Sequence, residues 1–214
     1  MLLIGAKEML MVKRQMTVSG NIVVAGIFLM LLIISSCRTH QNLVIHQSDT
    51  LSVVLRELPA GYPSIESFHH PRTIPSEEVF NILESLTYDA GALLPFSKAQ
   101  PRRLFAKPQA EQLAPLLSKA LSLAPPRQAT AFTITEMEKP DRQTTGFAFV
   151  LNNEMHLIIE TLRRPLYEGE QKAYQHSLSR WSLRTAGSQR LYARLAEGKG
   201  TMPNWIIIPL QQGP

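Results

Sequence analysis

The residues with chemical capacity fall into five small groups. Cys37 is the only thiol and stands directly behind Leu32-Ile33-Ile34-Ser35-Ser36. His69 and His70 are adjacent, in a stretch punctuated by Pro59, Pro63, Pro71 and Pro75. In an extended chain neighbouring side chains point to opposite sides, so these two imidazoles share one metal ion only if the loop bends sharply. His156 and Glu160 fall on one strand face, yet lie about 13 Å apart at ~3.3 Å per residue, too far to hold one ion. Glu136 and Glu138 share a face if their strand extends that far. They would then be about 7 Å apart, within the range used by acid and base pairs in glycoside hydrolysis. They run, however, into Lys139-Pro140-Asp141, which reads as a solvated turn. Gly198-Lys199-Gly200-Thr201 has part of a phosphate loop, but residue 193 is Ala where the upstream glycine belongs, and no strand leads through it to a helix.

Neither Gly-x-Ser-x-Gly nor His-Glu-x-x-His occurs, so the sequence offers no elbow for a serine nucleophile and no pair of zinc ligands on one helix face. The expectation is therefore no catalytic residue, no metal site and no cofactor. The alternative is a periplasmic hydrolase or metal-dependent enzyme whose residues are dispersed along the chain.

The N-terminal segment has the layout of an export signal. Lys7, Lys13 and Arg14 precede an apolar stretch from Ile22 to Ile34, and small residues follow at once. Thirteen apolar residues rise about 20 Å as a helix, short of the roughly 30 Å core that a spanning helix must cross. The order Ile34-Ser35-Ser36-Cys37 resembles the bacterial lipobox, which the lipoprotein signal peptidase reads before an acylated cysteine. The resemblance covers about the first 38 residues. It implies that residues 1–36 are a signal peptide, that Cys37 is the lipidated first residue, and that the protein is held in the cell envelope through that anchor. Arg38 stands where many lipoproteins retained in the inner membrane carry aspartate, so the resemblance favours the outer membrane, facing the periplasm. Met11 and Met16 are alternative starts to Met1. Beyond the signal, the chain is similar only to bacterial lipoproteins in general, and that likeness carries no site.

With Cys37 acylated the mature chain has no thiol, which excludes disulfides within it, a cysteine nucleophile and Cys-ligated zinc. The chain carries a formal charge of +5; the signal holds three cations and Glu8, which leaves +3. That is too small an excess to argue for nucleic acid. The cations concentrate late, with eight Lys or Arg and three Glu from Arg163 to Lys199, interleaved with Tyr167, Tyr174, Trp181 and Tyr192. Such a stretch suits an anionic partner in the envelope, or else divides into a solvated face and core aromatics.

The elements that must position these groups indicate an α+β fold, mainly antiparallel sheet with two or three packed helices. Residues 37–50 read as a polar tether, although Leu43-Val44-Ile45 has the character of a pairing segment, and residues 51–214 form one globular domain. Leu51 to Leu58 is β-branched and aliphatic, a strand stopped by Pro59 and Gly61. Val79, Phe80, Ile82, Leu83 and Leu86 recur at helical spacing after Ser76, with Glu77 and Glu78 in the first turn. Pro108 opens a second helix whose stripe of Leu113, Leu116, Leu117, Ala120 and Leu121 ends at Pro125-Pro126; Pro115 predicts a kink within it. Leu93 to Phe96 and Arg103 to Ala106 read as short strands. Alternating Phe132 and Ile134, then Phe147 and Phe149, then Met155, Leu157 and Ile159 give three sheet strands. Asn152-Asn153 makes Phe147 to Leu162 a hairpin. Leu166 to Ser182 fits helix or strand, and Trp205 to Leu210 is a closing strand with Pro209 at an edge or end. The expected role is a non-enzymatic binding or assembly module. It would use a sheet edge or the basic aromatic C-terminal third to meet an envelope protein or polymer, with no nucleic acid involved.

Overall fold

The computed structural model describes residues 42–63, 65, 67–90, 101–167, 181–193 and 200–211. The segments proposed as export signal and lipidation site, and the proposed strand at Leu93 to Phe96, lie outside the described residues. From residue 42 onward the chain forms one compact unit, an α+β arrangement of two antiparallel sheets and, among the described residues, two helices.

Strands β1 (Leu43–Gln47), β2 (Leu51–Arg56), β5 (Ala129–Thr135), β6 (Arg142–Leu151), β7 (Glu154–Pro165), β9 (Arg190–Ala193) and β10 (Thr201–Pro209) build a seven-stranded sheet in the order β1-β2-β5-β6-β7-β10-β9. Strands β3 (Thr87–Asp89), β4 (Pro101–Arg103) and β8 (Ser182–Arg184) form a smaller one in the order β4-β3-β8. The pairing capacity of Leu43-Val44-Ile45 is used: β1 hydrogen-bonds to β2 with Leu43 opposite Leu55, so the sheet begins inside the stretch that reads as tether. It is an edge strand, and Leu43 and Val44 are exposed on it. The short strand expected at Arg103 to Ala106 sits two residues earlier, ending at Arg103; Leu104 still donates its N–H to the Leu86 carbonyl at 2.9 Å, and the Leu104 and Phe105 side chains are buried in the core.

Helices α1 (Ser76–Ser85) and α2 (Lys107–Leu123) cover one face of the large sheet. Each buries the stripe its periodicity requires: Val79, Ile82 and Leu83 on α1, and Leu113, Leu117, Ala120 and Leu121 on α2. Helix α2 runs through Pro115. Its start is pinned by Gln109, whose Oε1 accepts the Ala106 N–H at 2.8 Å while Nε2 donates to the Thr135 carbonyl at 2.9 Å. That bond ties the first turn of the helix to the end of β5.

Because side chains alternate across a strand, the same strands send a different set to the opposite face. Ala129, Ala131, Phe147, Phe149, Ile158, Trp205 and Ile207 make a second, more aromatic layer. This layer is covered by the irregular segment after β2, through Tyr62, Ile65 and Phe68. The β6–β7 hairpin is the longest pairing in the sheet and turns at Asn152 and Asn153, both with positive φ (50° and 58°). Those are the conformations a two-residue hairpin loop needs. Pro209 ends β10, which is an interior strand lying between β7 and β9; it thus marks a strand end and not an edge.

Candidate functional site

Polar side chains gather at the two ends of the β6–β7 hairpin. At the turn end, the segment before α1 folds back against the strand. His69 donates its backbone N–H to the Val150 carbonyl at 2.9 Å, and its Nδ1 accepts the Asn152 N–H at 3.1 Å. His70 is buried, with Nδ1 3.0 Å from the Gln128 carbonyl and Nε2 accepting the Val150 N–H at 2.9 Å. A carbonyl accepts only from an N–H, so the proton sits on Nδ1 and the ring is a neutral bridge between β6 and the residue before β5. Burial drives its pKa down to about 4, opposed by the backbone hydrogen bonds at Gln128 and Pro125 and assisted by the charge of His69. Arg72 completes this end by donating from Nη2 to Asn153 Oδ1 at 2.8 Å. Both histidines of the candidate metal pair are thus engaged by backbone amides.

His156 is buried on the aromatic face, stacked on Phe149 with centroids 5.0 Å apart, and its Nδ1 accepts the Trp205 indole N–H at 3.2 Å. The proton therefore lies on Nε2, which is buried without a hydrogen-bond partner. Burial lowers this pKa to about 4 as well, with Glu154 raising it and Arg190 lowering it. His156 and Glu160 are not brought together. Glu160 is bulged out of register between Ile159 and Thr161 and lies 3.8 Å from Arg56. Burial raises its pKa, and Arg56 pulls it back. Tyr62, above the same patch, is pushed up to about 12 by burial and then by the Glu160 charge.

The open end of the hairpin is different. Here Gln143 pairs with Arg164 and Thr145 with Thr161, so Thr144 alone faces Leu162 and Arg163. This is a β-bulge, and it places Arg163 in the left-handed region at φ 54°. That conformation is comfortable for glycine and strained for arginine. The Arg163 N–H is taken up by Thr144 Oγ1 at 3.2 Å, and the same hydroxyl donates to Glu136 Oε1 at 3.3 Å. The guanidinium of Arg163 stands 5.6 Å from the Tyr88 ring centroid, with Nε 3.4 Å from Glu136 Oε2. That contact is an ion pair without hydrogen-bond alignment, since Nε is buried and makes no hydrogen bond.

Around this corner lies a cavity of about 690 Å³, bounded by Tyr88, the first turn of α2, the turn from β5 into β6, and Arg163. Four cations line it, Arg102, Lys139, Arg142 and Arg163, with two carboxylates, Glu136 and Glu138. Strand β5 stops at Thr135, so these carboxylates sit in a turn and not on a strand face as the alternation suggested. The turn is held closed by the Glu136 N–H on the Arg142 carbonyl and the Arg142 N–H on the Lys139 carbonyl, both 2.9 Å. Neither His69 nor His70 lines this cavity. Among the described residues no group of three or more His, Cys, Asp or Glu side chains is placed to hold a metal ion.

Of the remaining sequence candidates, Gly198 and Lys199 lie outside the described residues, whereas Gly200 has φ 92° and Thr201 opens a strand, where a phosphate loop needs a helix. The basic aromatic C-terminal third divides. Tyr192 stacks on Trp205 at 3.9 Å and Trp181 packs against the core, while Arg184 pairs with Asp89 and Arg190 with Glu154. Tyr167 is exposed, and Tyr174 lies outside the described residues. Arg102 and Arg142 were not singled out from sequence, and Arg163 entered only as the first residue of the basic C-terminal stretch. Nothing in a Leu-Arg-Arg-Pro string signals a left-handed arginine. Of the groups at this corner, the Glu136 and Glu138 pair and the basic stretch opening at Arg163 were the signals pointing toward it.

No protein-family model, curated protein or solved structure matches the chain.

Proposed function

We propose that the protein is a lipid-anchored envelope component, exported and acylated at Cys37, whose folded domain is a non-enzymatic binding or assembly module facing the periplasm. The observation that carries this reading is the order Ile34-Ser35-Ser36-Cys37 behind an apolar stretch, with a paired strand beginning at Leu43. Five residues, 38–42, separate the thiol from that strand, at most about 20 Å of extended chain. A domain on so short a tether is concentrated at the membrane surface, so a modest interface with an envelope protein or polymer suffices. Arg38 in place of an aspartate supports the outer membrane as its address.

The test is fractionation and intact-mass measurement of the full chain and of Cys37→Ala, expressed in a bacterium with two membranes. The wild type is expected in the detergent-soluble membrane fraction as a processed, acylated species. The variant should be unprocessed or released from the membrane. A Cys37→Ala protein that is cleaved before residue 37 and still membrane-bound would overturn the reading.

A further inference from the structure

Among the described residues the large apolar side chains left exposed are Leu43, Val44, Leu123, Met137, Leu166 and Tyr167, and they divide between the two ends of the large sheet. Met137, Leu166 and Tyr167 belong to the open end, where the turn after β5 meets the chain leaving β7: the Leu166 N–H donates to the Asp141 carbonyl at 2.8 Å. The other three belong to the turn end. Register carries Leu43 there, since it stands opposite Leu55, Leu55 opposite Thr130, and Thr130 opposite Ala148, shortly before the Asn152-Asn153 turn. Helix α2 brings Leu123 to the same end. It starts beside the last residue of β5, where Gln109 donates to the Thr135 carbonyl, and finishes beside Arg72, which donates its N–H to the Leu121 carbonyl and its guanidinium to Asn153. Pro125 and Pro126, which follow Leu123, are exposed as well. The turn end is also where the chain arrives from Cys37. Residues 38–42 span at most about 20 Å, so an anchor at Cys37 holds Leu43 within that distance of the head groups, whereas the open end lies roughly 20 Å further along the strands.

We propose that the turn end is a membrane-facing surface, with Leu43, Val44 and Leu123 seated in the head-group region of the bilayer and the open end turned away from it. Single exposed apolar residues are ordinary on a protein surface. Here three of them share the end that the short tether keeps beside a bilayer, where an apolar side chain leaves water without a protein partner having to be found. The depth of the contact follows from the backbone. Strand β1 is the edge of the sheet among the described residues, and the N–H and C=O groups on its outer side need hydrogen bonds that hydrated head groups supply and the hydrocarbon core does not. The contact is therefore interfacial, to the 5–10 Å or so that amphipathic surface elements reach. The tether limits distance, and these apolar contacts fix which way the domain faces. The inference rests on the reading of Cys37 as the lipidated residue and adds to it an orientation, which is read out separately.

The test uses the full chain, purified in detergent and reconstituted in phosphatidylcholine vesicles, with one cysteine introduced at a time: Val44→Cys, Leu123→Cys or Met137→Cys. All three positions are exposed, so the substitutions leave the core untouched. An acylated Cys37 does not react with a maleimide, and each variant therefore takes a single environment-sensitive fluorophore, quenched by lipids that carry a nitroxide near the head group. A bilayer without net charge makes the signal report apolar seating and not attraction between charges. Labels at 44 and 123 are expected to lose about half of their fluorescence or more, and the label at 137, at the far end of the strands, almost none. Intact mass on the same preparations reads acylation independently. Acylated, vesicle-bound protein whose labels at 44 and 123 are no more quenched than the label at 137 would overturn the orientation and leave the anchor standing, whereas unacylated protein free of the vesicles would overturn both. An unquenched label at 44, together with disulfide-linked dimers of unlabelled, acylated Val44→Cys, would assign the β1 edge to a second copy of the chain and overturn the proposal.

Discussion

The two ends of the β6–β7 hairpin use polar side chains in opposite ways. At the turn end, His69, His70 and Arg72 are spent on the backbone and side chains of Val150, Asn152, Asn153 and Gln128. At the open end, roughly 20 Å away along the strands, Arg163 is held in a conformation that disfavours it and lies beside a cavity that Arg102, Arg142, Glu136 and Glu138 also line. Buried polarity at the first end substitutes for missing ladder partners, because β6 there extends beyond the start of β5 at Ala129. Its imidazole supplies a donor and an acceptor at the spacing the two backbones leave open. The difference teaches that a buried histidine with both nitrogens satisfied ties two backbones together, whereas Arg163 takes its left-handed conformation because the bulge opposite Thr144 requires it.

The largest expected effect is that of acid on the turn half. His70 and His156 both have pKa values lowered from 6.5 to about 4. The unfolded chain therefore takes up protons first as pH falls. Stability from these groups is complete above pH 6.5 and is lost progressively down to about 4, at about 3 kcal/mol for each histidine. Urea unfolding between pH 7.5 and 4 should show this slope, and a flat profile would remove the distinction between the ends.

Next in size is Gly146→Ala, in the middle of the hairpin beside the Glu160 bulge. An added Cβ would stand on the Ile158 carbonyl oxygen and 2.7 Å from Phe132 Cζ. Neither backbone nor packed ring gives way easily, so a loss of about 3 kcal/mol or more is expected from the denaturation midpoint. His70→Ala should follow at about 2–3 kcal/mol, because it strands the buried Val150 N–H and the Gln128 carbonyl. It should also remove about half of the acid slope.

The smallest stability effect is that of Arg163→Gly, within about 1 kcal/mol in either direction. Relief of left-handed strain offsets the loss of a partly exposed ion pair and the contact with Tyr88. Near-neutral stability at Arg163 beside a large loss at His70 is the contrast that sharpens the comparison. A large loss at both would make the open end a structural clamp.

The regular elements were largely legible because they rest on local periodicity. The buried stripes of α1 and α2 and the Asn152-Asn153 turn each follow from residues within a few positions of one another. What decides the site is not local. The bridge from His70 to Val150 spans 80 residues, and nothing near His70 announces its partner. The bulge at Arg163 depends on how Thr144 and Thr145 register against β7, a choice made by sheet packing. The Glu136 and Glu138 spacing assumed a strand reaching Glu138, and β5 stops three residues short of it, although their common position at one cavity came from the turn itself. Pairing of Leu43-Val44-Ile45 was visible as β-branched character but not as an edge strand, since its partner is chosen by the sheet.

The most direct measurement is amide hydrogen exchange by mass spectrometry on the full chain in detergent, for the wild type and for His70→Ala. The account predicts that the variant loses protection in peptides spanning residues 68–72 and 150–153, where the imidazole bridges the two backbones, and keeps it at 136–144 and 161–166. Unchanged protection at the turn end, or a loss confined to the open end, would contradict it.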